Sequence, residues 1–329
     1  MYSARKTTKG GTLTRRQMVK VLASAGVGMA ASPLMSCQRS DQKVNQIADI
    51  KMQAAIFFEP HIPTALRRAL QYAGDDGFVA SMPALLHART NASYDNIIWN
   101  TWFTSNTEES VVTTPQGNRV IVVIHGGGIF ARPARFERSY HADLDRSNSE
   151  GITGQTAAKI SATEARDVLE GKLPDSTQIP VYPFDEFKRG VADLPRRYGV
   201  ILDFELAKSA KRGYENIDVL RDEPNLIIRA GGVEPLAAYL DKYRDRHNAA
   251  LMGNWHPYLR IDPDQPQTRL LNLAGNKGGV GSEGDVQGLG RGYHADDGIG
   301  ADWPGGLARY VAVAPRNVST SVLNLDFEL

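Results

Sequence analysis

The chain has a single cysteine in 329 residues, Cys37, so no disulfide can form within it and its stability has to come from packing and polar contacts. It also lacks an apolar run long enough to cross a bilayer. The best candidate, Val21 to Met35, falls short of the roughly 20 residues that a spanning helix needs. Acidic residues are missing from residues 1 to 36, where the charged positions are Arg5, Lys6, Lys9, Arg15, Arg16 and Lys20. That excludes an ordinary amphipathic helix of a folded domain, in which acidic and basic residues are interspersed. Gly-x-Ser-x-Gly is absent as well. The nearest string, Val280-Gly281-Ser282-Glu283-Gly284, has valine at the first position, so a nucleophilic serine on a sharp strand-to-helix turn has no obvious location.

What is present begins with Thr14-Arg15-Arg16-Gln17-Met18-Val19-Lys20, followed by the apolar run and a small-residue exit. This order resembles a bacterial twin-arginine export leader, and Leu34-Met35-Ser36-Cys37 resembles a lipobox, in which the cysteine becomes the lipidated first residue. The resemblance implies a cleaved signal peptide over 1–36, passage through the twin-arginine translocase, and a periplasmic or envelope protein held at the membrane by lipid on Cys37. Cleavage near Ala30-Ala31-Ser32 is the competing expectation. Without the leader 32 Lys and Arg remain against 37 Asp and Glu, a formal charge near −5 that disfavours a nucleic-acid partner.

A polar linker over 37–45 precedes one expected domain over 46–329, with a helical and β addition at 46–130. Helical spacing places helices over Ile62–Ala73 and Phe78–Ala88. Strands are expected at Ile97–Phe103, Val111–Thr114 and, beyond a Pro115–Asn118 turn, Val120–Ile124, whose two apolar faces suit a central buried strand. Ser161 and Glu164 have capping-box spacing for a helix over Ala162–Glu170 that Gly171 ends. Strands follow at 179–182, 199–204, 225–229 and 249–255, with helices over 184–193 and 233–247 between them. The β-α-β order at 179–204 and 225–255 predicts an α/β fold with a mixed, partly parallel sheet and crossover helices, α+β or a barrel-like arrangement being the alternatives. Pro180 confines its strand to a sheet edge. From Gly275 to Gly306 the chain is glycine-rich and reads as a long loop before a last strand at Ala308–Val313.

Four groups of residues carry chemistry. His125-Gly126-Gly127-Gly128, after the strand at 120–124, resembles the oxyanion-hole segment of lipase and esterase α/β-hydrolases, in which glycines let backbone N–H groups approach an oxyanion. Asp203-Phe204-Glu205 places two carboxylates two residues apart at a strand end. On extended backbone they share a side, which suits acid and base roles in glycoside hydrolysis or a divalent cation, and the string is similar to the acidic strand ends of TIM-barrel glycosidases, muramidases included. Tyr140-His141-Ala142-Asp143 recurs as Tyr293-His294-Ala295-Asp296, and His141, Asp143 and His294 are candidate metal ligands. Asn254-Trp255-His256-Pro257-Tyr258 offers Trp255 and Tyr258 for stacking on a sugar ring, Asn254 for hydrogen bonding and His256 as an acid or base.

Three readings of the mature chain follow. One is a hydrolase of an envelope or extracellular polymer, with Asp203, Glu205 and His256 catalytic and Asn254, Trp255 and Tyr258 binding substrate. Another is a non-catalytic lipoprotein that binds a ligand or partner, with Gly275–Gly306 as its contact surface. A metal-dependent enzyme built on His141, Asp143 and His294 is the third alternative.

Overall fold

A computed structural model describes residues 52–144, 152–153, 157–210, 213–247, 251–254, 264–273 and 308–315. Residues 1–37, where a leader and Cys37 lipidation are expected, lie outside them. Strand β1 (Met52–Glu59) passes into α1 (Ile62–Ala73), which has Pro63 in its first turn and buries Ile62, Ala65, Leu66, Ala69, Tyr72 and Ala73 as one stripe. Then come β2 (Phe78–Val79), α2 (Met82–Asn91), the short α3 (Ile97–Asn100) and the hairpin of β3 (Phe103–Thr113) with β4 (Arg119–His125). A 3-10 turn at Ile129–Ala131 leads to α4 (Pro133–Leu144), β5 (Ile152–Thr153), β6 (Ala157–Lys159) and α5 (Ala162–Glu170). The chain continues through β7 (Val181–Pro183), α6 (Phe184–Lys188), β8 (Tyr198–Asp203), α7 (Phe204–Lys208) and β9 (Gly213–Asn216). The remaining described elements are α8 (Ile217–Leu220), α9 (Pro224–Ala230), α10 (Val233–His247), β10 (Leu251–Asn254), β11 (Gln267–Leu273) and β12 (Ala308–Pro315).

Among the described residues the strands form a seven-stranded sheet in the order β5-β6-β11-β3-β4-β8-β7, a three-stranded sheet β1-β12-β2 and the pair β10-β9. The fold is thus mixed α/β with a mixed sheet. The parallel ladder is β7 with β8, joined by the α6 crossover, and Pro180 does precede an edge strand. The β4 strand shows why its sequence is apolar throughout. Ile121 and Val123 face a core with Leu85, Leu86, Leu236, Tyr239 and Leu240 from α2 and α10, while Val120, Val122 and Ile124 face another with Ile62, Leu66, Phe130, Phe136 and Val168. Ala80 joins the two larger sheets, its N–H donating to the Val311 carbonyl at 2.8 Å and its carbonyl accepting from the Asn106 N–H at 2.8 Å.

Several expectations are corrected. Residues 97–100 are helical, because Asn96 caps the turn by accepting from the Ile98 N–H at 3.0 Å, and Trp99 then stacks on Tyr239 with ring centroids 5.9 Å apart. Residues 225–229 belong to α9, which is framed by Pro224 at its start and left-handed Gly231 at its end, so the second β-α-β unit does not exist. Its apolar run is continuous because Leu226, Ile227, Ile228 and Ala230 are all buried. The β10 strand instead pairs antiparallel with β9. Helix α2 starts at Met82, after a strand at Phe78–Val79, and α6 stops at Lys188. Residues 103–125 lie in the middle of the large sheet, so the stretch up to residue 130 builds its centre instead of adding to it.

At Gly231, φ is +90° and an added Cβ would lie 2.8 Å from Pro83 Cβ. Gly231→Ala is expected to destabilise the fold by about 2 kcal/mol through backbone strain and overpacking, as measured by urea unfolding. A change under about 0.5 kcal/mol would show that the α9 end can relax.

Candidate functional site

The centre of the large sheet is polar. Residues Thr104, Ser105, Asn106, Thr107, Glu108, Glu109 and Ser110 of β3 follow one another, and none is more than 3% exposed. Burying so many polar groups is tolerable only if they find partners. Most of them do, and alternate residues serve opposite faces of the strand.

On one face the Ser105 hydroxyl donates to the Leu271 carbonyl at 2.5 Å, and the Thr107 hydroxyl accepts from the Met82 N–H at 2.8 Å. The imidazole of His125 is fixed between two groups. Its Nε2 lies 2.8 Å from the Ile228 carbonyl, which can only accept, so Nε2 carries the proton and Nδ1 accepts from the Thr107 hydroxyl at 3.2 Å. Burial pushes the His125 pKa down to about 4, so the ring is neutral. Glu109 takes Nε and Nη2 of Arg229 on one oxygen, at 2.8 and 2.6 Å, and Arg269 on the other. Burial alone would raise this carboxyl, but the two guanidinium charges outweigh it and hold the pKa at about 2.

On the other face the Thr104 hydroxyl accepts from the Arg309 N–H at 3.2 Å and the Ser110 hydroxyl donates to Thr268 at 2.8 Å. Glu108 Oε1 accepts from the N–H groups of Gly128 and Phe130 at 2.8 and 3.0 Å. Unlike Glu109 it has no guanidinium ion pair among the described residues, and burial raises its pKa to about 7 against the smaller opposing effects of the backbone N–H groups of residues 128–130 and of the Arg197 charge. The glycines of His125–Gly128 are explained here. Gly126 and Gly127 have φ of +86° and +100°, and a Cβ on Gly128 would stand 2.8 Å from Glu108 Oε2. The turn does aim backbone N–H groups at an acceptor, as the oxyanion-hole resemblance implies, but that acceptor is the protein's own Glu108 carboxyl.

The described candidates among the predicted site residues lie on β8, α7, α4 and β10. Asp203 ends β8 and caps α7, its Oδ1 accepting from the Leu206 N–H at 2.9 Å, and Glu205 lies inside that helix with Lys208 3.6 Å from its carboxylate. The backbone turns at Phe204, so the two-residue alternation that would have aligned the carboxylates is lost. His141 and Asp143 lie on α4, and positions two apart on a helix are on opposite sides of it, unlike the extended backbone expected. Asn254 is the last residue of β10 and pairs with Gly213. Trp255, His256, Tyr258 and His294 lie outside the described residues. A cavity of about 210 Å³ beside α4 and α5, lined by Arg132, Arg135, Glu164 and Lys172, contains none of the described candidates. Among the described residues no three His, Cys, Asp or Glu side chains gather as a metal-holding group.

The structure brings together what the sequence did not point to, the two ends of the glycine-rich segment. The β11 strand leaves the sheet with Asn272 paired to Thr104 and Leu273 to Phe103. The β12 strand enters at Ala308, and the next residue, Arg309, donates its N–H to Thr104. Residues 274–307 therefore leave and return at the same point of β3. A polar run before Val111 was the available signal, and it has no apolar periodicity to reveal a strand.

No family model matches the chain, and no curated protein matches it. A solved structure described as "Accommodation of massive sequence variation in Nanoarchaeota by the C-type lectin fold" is similar at a TM-score of 0.54 and 22% identity, covering 82% of this chain and all of that one. At this identity the likeness concerns the fold, which is similar to the C-type lectin fold.

Two outcomes test the polar strand. Glu109→Ala leaves two buried guanidinium groups without their carboxylate and is expected to cost about 3 to 5 kcal/mol in urea unfolding; a cost below about 1 kcal/mol would show that water reaches the site. Glu108 and His125 act on pH dependence with opposite signs. The raised Glu108 pKa gives stability present below its ordinary value of 4.5 and lost as pH rises through about 7, while the depressed His125 pKa gives stability present above 6.5 and lost as pH falls through about 4. Each is worth on the order of 3 kcal/mol, so the two largely cancel between pH 5 and 6.5. Glu108→Gln should therefore gain on the wild type by about 3 kcal/mol between pH 4.5 and 8, and a constant difference over that range would remove Glu108 as a titrating group.

Proposed function

We propose that this is an exported, non-catalytic binding protein in which residues 274–307 form the contact surface on a rigid frame. The observation that carries this reading is the meeting of both ends of that segment at Thr104, a residue 1% exposed at the start of the polar run of β3. A segment closed at its base by a fixed frame can change without removing core contacts. Its composition suits recognition: Arg291, Tyr293, His294, Trp303 and five acidic residues lie among glycines. The similar solved structure is described in terms of the accommodation of massive sequence variation, and the same use of the fold is part of this proposal. The twin-arginine leader and lipidated Cys37 complete the reading as a membrane-tethered envelope protein whose linker over 37–45 holds the frame away from the lipid.

The helix start between Asp203 and Glu205, with Asp203 engaged as its cap, is the reason that binding is preferred to polymer hydrolysis. Simultaneous replacement of Glu283, Asp285, Gln287, Arg291 and Tyr293 by serine is expected to leave the thermal midpoint within about 2 °C, since surface changes away from packed features cost little. Loss of cooperative unfolding in that variant would mean that the segment is part of the core and would sink the reading. Specific polymer turnover abolished by Asp203→Asn with Glu205→Gln would return the protein to the hydrolases.

A further inference from the structure

Arg309 stands at the foot of the same segment and has an arrangement that core packing does not require. Its guanidinium lies against two aromatic rings, 4.8 Å from the centroid of Phe58 and 5.0 Å from that of Trp102. Phe58 faces Arg309 across the β1–β12 ladder and is 37% exposed, one of three large apolar side chains so placed among the described residues. Among the described residues the guanidinium hydrogen bonds leave from Nη1, to the Thr101 hydroxyl and, at 3.4 Å, to the Trp102 carbonyl. Nη1 thus points inward. Among the described residues no hydrogen bond leaves from Nε or Nη2, and neither is a buried unpaired atom, so the other edge of the fork keeps some exposure. The buried Arg135 and the partly buried Arg197 and Arg221 each have a carboxylate within 2.6 Å, whereas Arg309 has none among the described residues. Burial accordingly depresses its pKa below the ordinary range, with no counter-charge to restore it.

We propose that Arg309, clamped between Phe58 and Trp102, is a binding subsite for the carboxylate of an external ligand with a flat apolar body. The Nε–Nη2 edge has the geometry for a bidentate carboxylate, and the rings fix the plane of the fork so that little freedom is lost on binding. A single cation balances a monoanion, which favours a carboxylate over a phosphate. The exposed part of Phe58 supplies apolar surface beside the charge. This names a ligand class for the surface proposed above and rests on that reading only for its biological use, because the subsite itself is made by β1, β12 and Thr101-Trp102.

The test uses the full mature chain, with benzoate as probe, benzamide as its neutral counterpart and inorganic phosphate as the competing anion, followed by ligand-observed NMR titration. Benzoate is expected to bind saturably with Kd of about 1 mM, benzamide and phosphate at least about tenfold more weakly. Arg309→Lys keeps the charge and the stem but lacks the fork, and is expected to weaken benzoate about tenfold; Phe58→Leu, which leaves the guanidinium in place, is expected to weaken it by about threefold. Equal benzoate binding in Arg309→Lys with unchanged thermal unfolding, equal binding of phosphate, or no saturation up to about 20 mM would each overturn the proposal. The serine variant of residues 283–293 separates the two ideas, because benzoate binding should survive there whether or not that segment proves to be the contact surface.

Discussion

The rest of the structure depends on the ion pairing of Glu109 with Arg229 and Arg269. A carboxylate at the middle of a seven-stranded sheet would be intolerable alone, and each guanidinium arrives from a different part of the chain, Arg229 from α9 and Arg269 from β11. One group thereby ties a helix, the central strand and its neighbouring strand to a single register. Apolar packing against β4 supplies the larger driving force, but it does not discriminate between neighbouring registers as a directional charge contact does. The Glu108 contact with the Gly128 and Phe130 N–H groups does the same for the other face, fixing the turn out of β4 against β3.

The parts of this fold that were legible in the sequence are those in which an apolar rhythm coincides with a stop signal. Helix α1 matches its expected limits because Pro63 opens the stripe and Gly74 follows it, and α5 does so because Ser161, Glu164 and Gly171 all act in their expected roles. The β4 strand and its burial on both faces were equally plain. Failures fall where rhythm and environment part. Ile97-Ile98-Trp99 has strand composition, yet the Asn96 cap and the aromatic stack with Tyr239 decide for a helical turn. The polar run of β3 has no apolar alternation, so the strand was seen from Val111 onward and its most important half was passed over.

The same asymmetry applies to the site. Reading Asp203 and Glu205 as a catalytic pair assumes that the strand continues through both, and a helix start between them removes that assumption. The His-Gly-Gly-Gly turn resembles a segment that presents N–H groups to an oxyanion, and only the fold shows that Glu108 lies beneath those N–H groups. Arg309 had no local signal at all. Its significance comes from Phe58 and Trp102, which are hundreds of residues away along the chain and adjacent in space.

The common anchorage at Thr104 also has an evolutionary consequence for length. If residues 274–307 are the contact segment proposed above, the entropy of closing a chain between fixed ends grows only with the logarithm of its length, so halving or doubling that segment would change folding free energy by only about 0.6 kcal/mol. Insertions and deletions there are thus nearly as cheap to the frame as substitutions. Descendants of this chain are free to explore different reach and shape at this position, and selection on the frame would scarcely register the change.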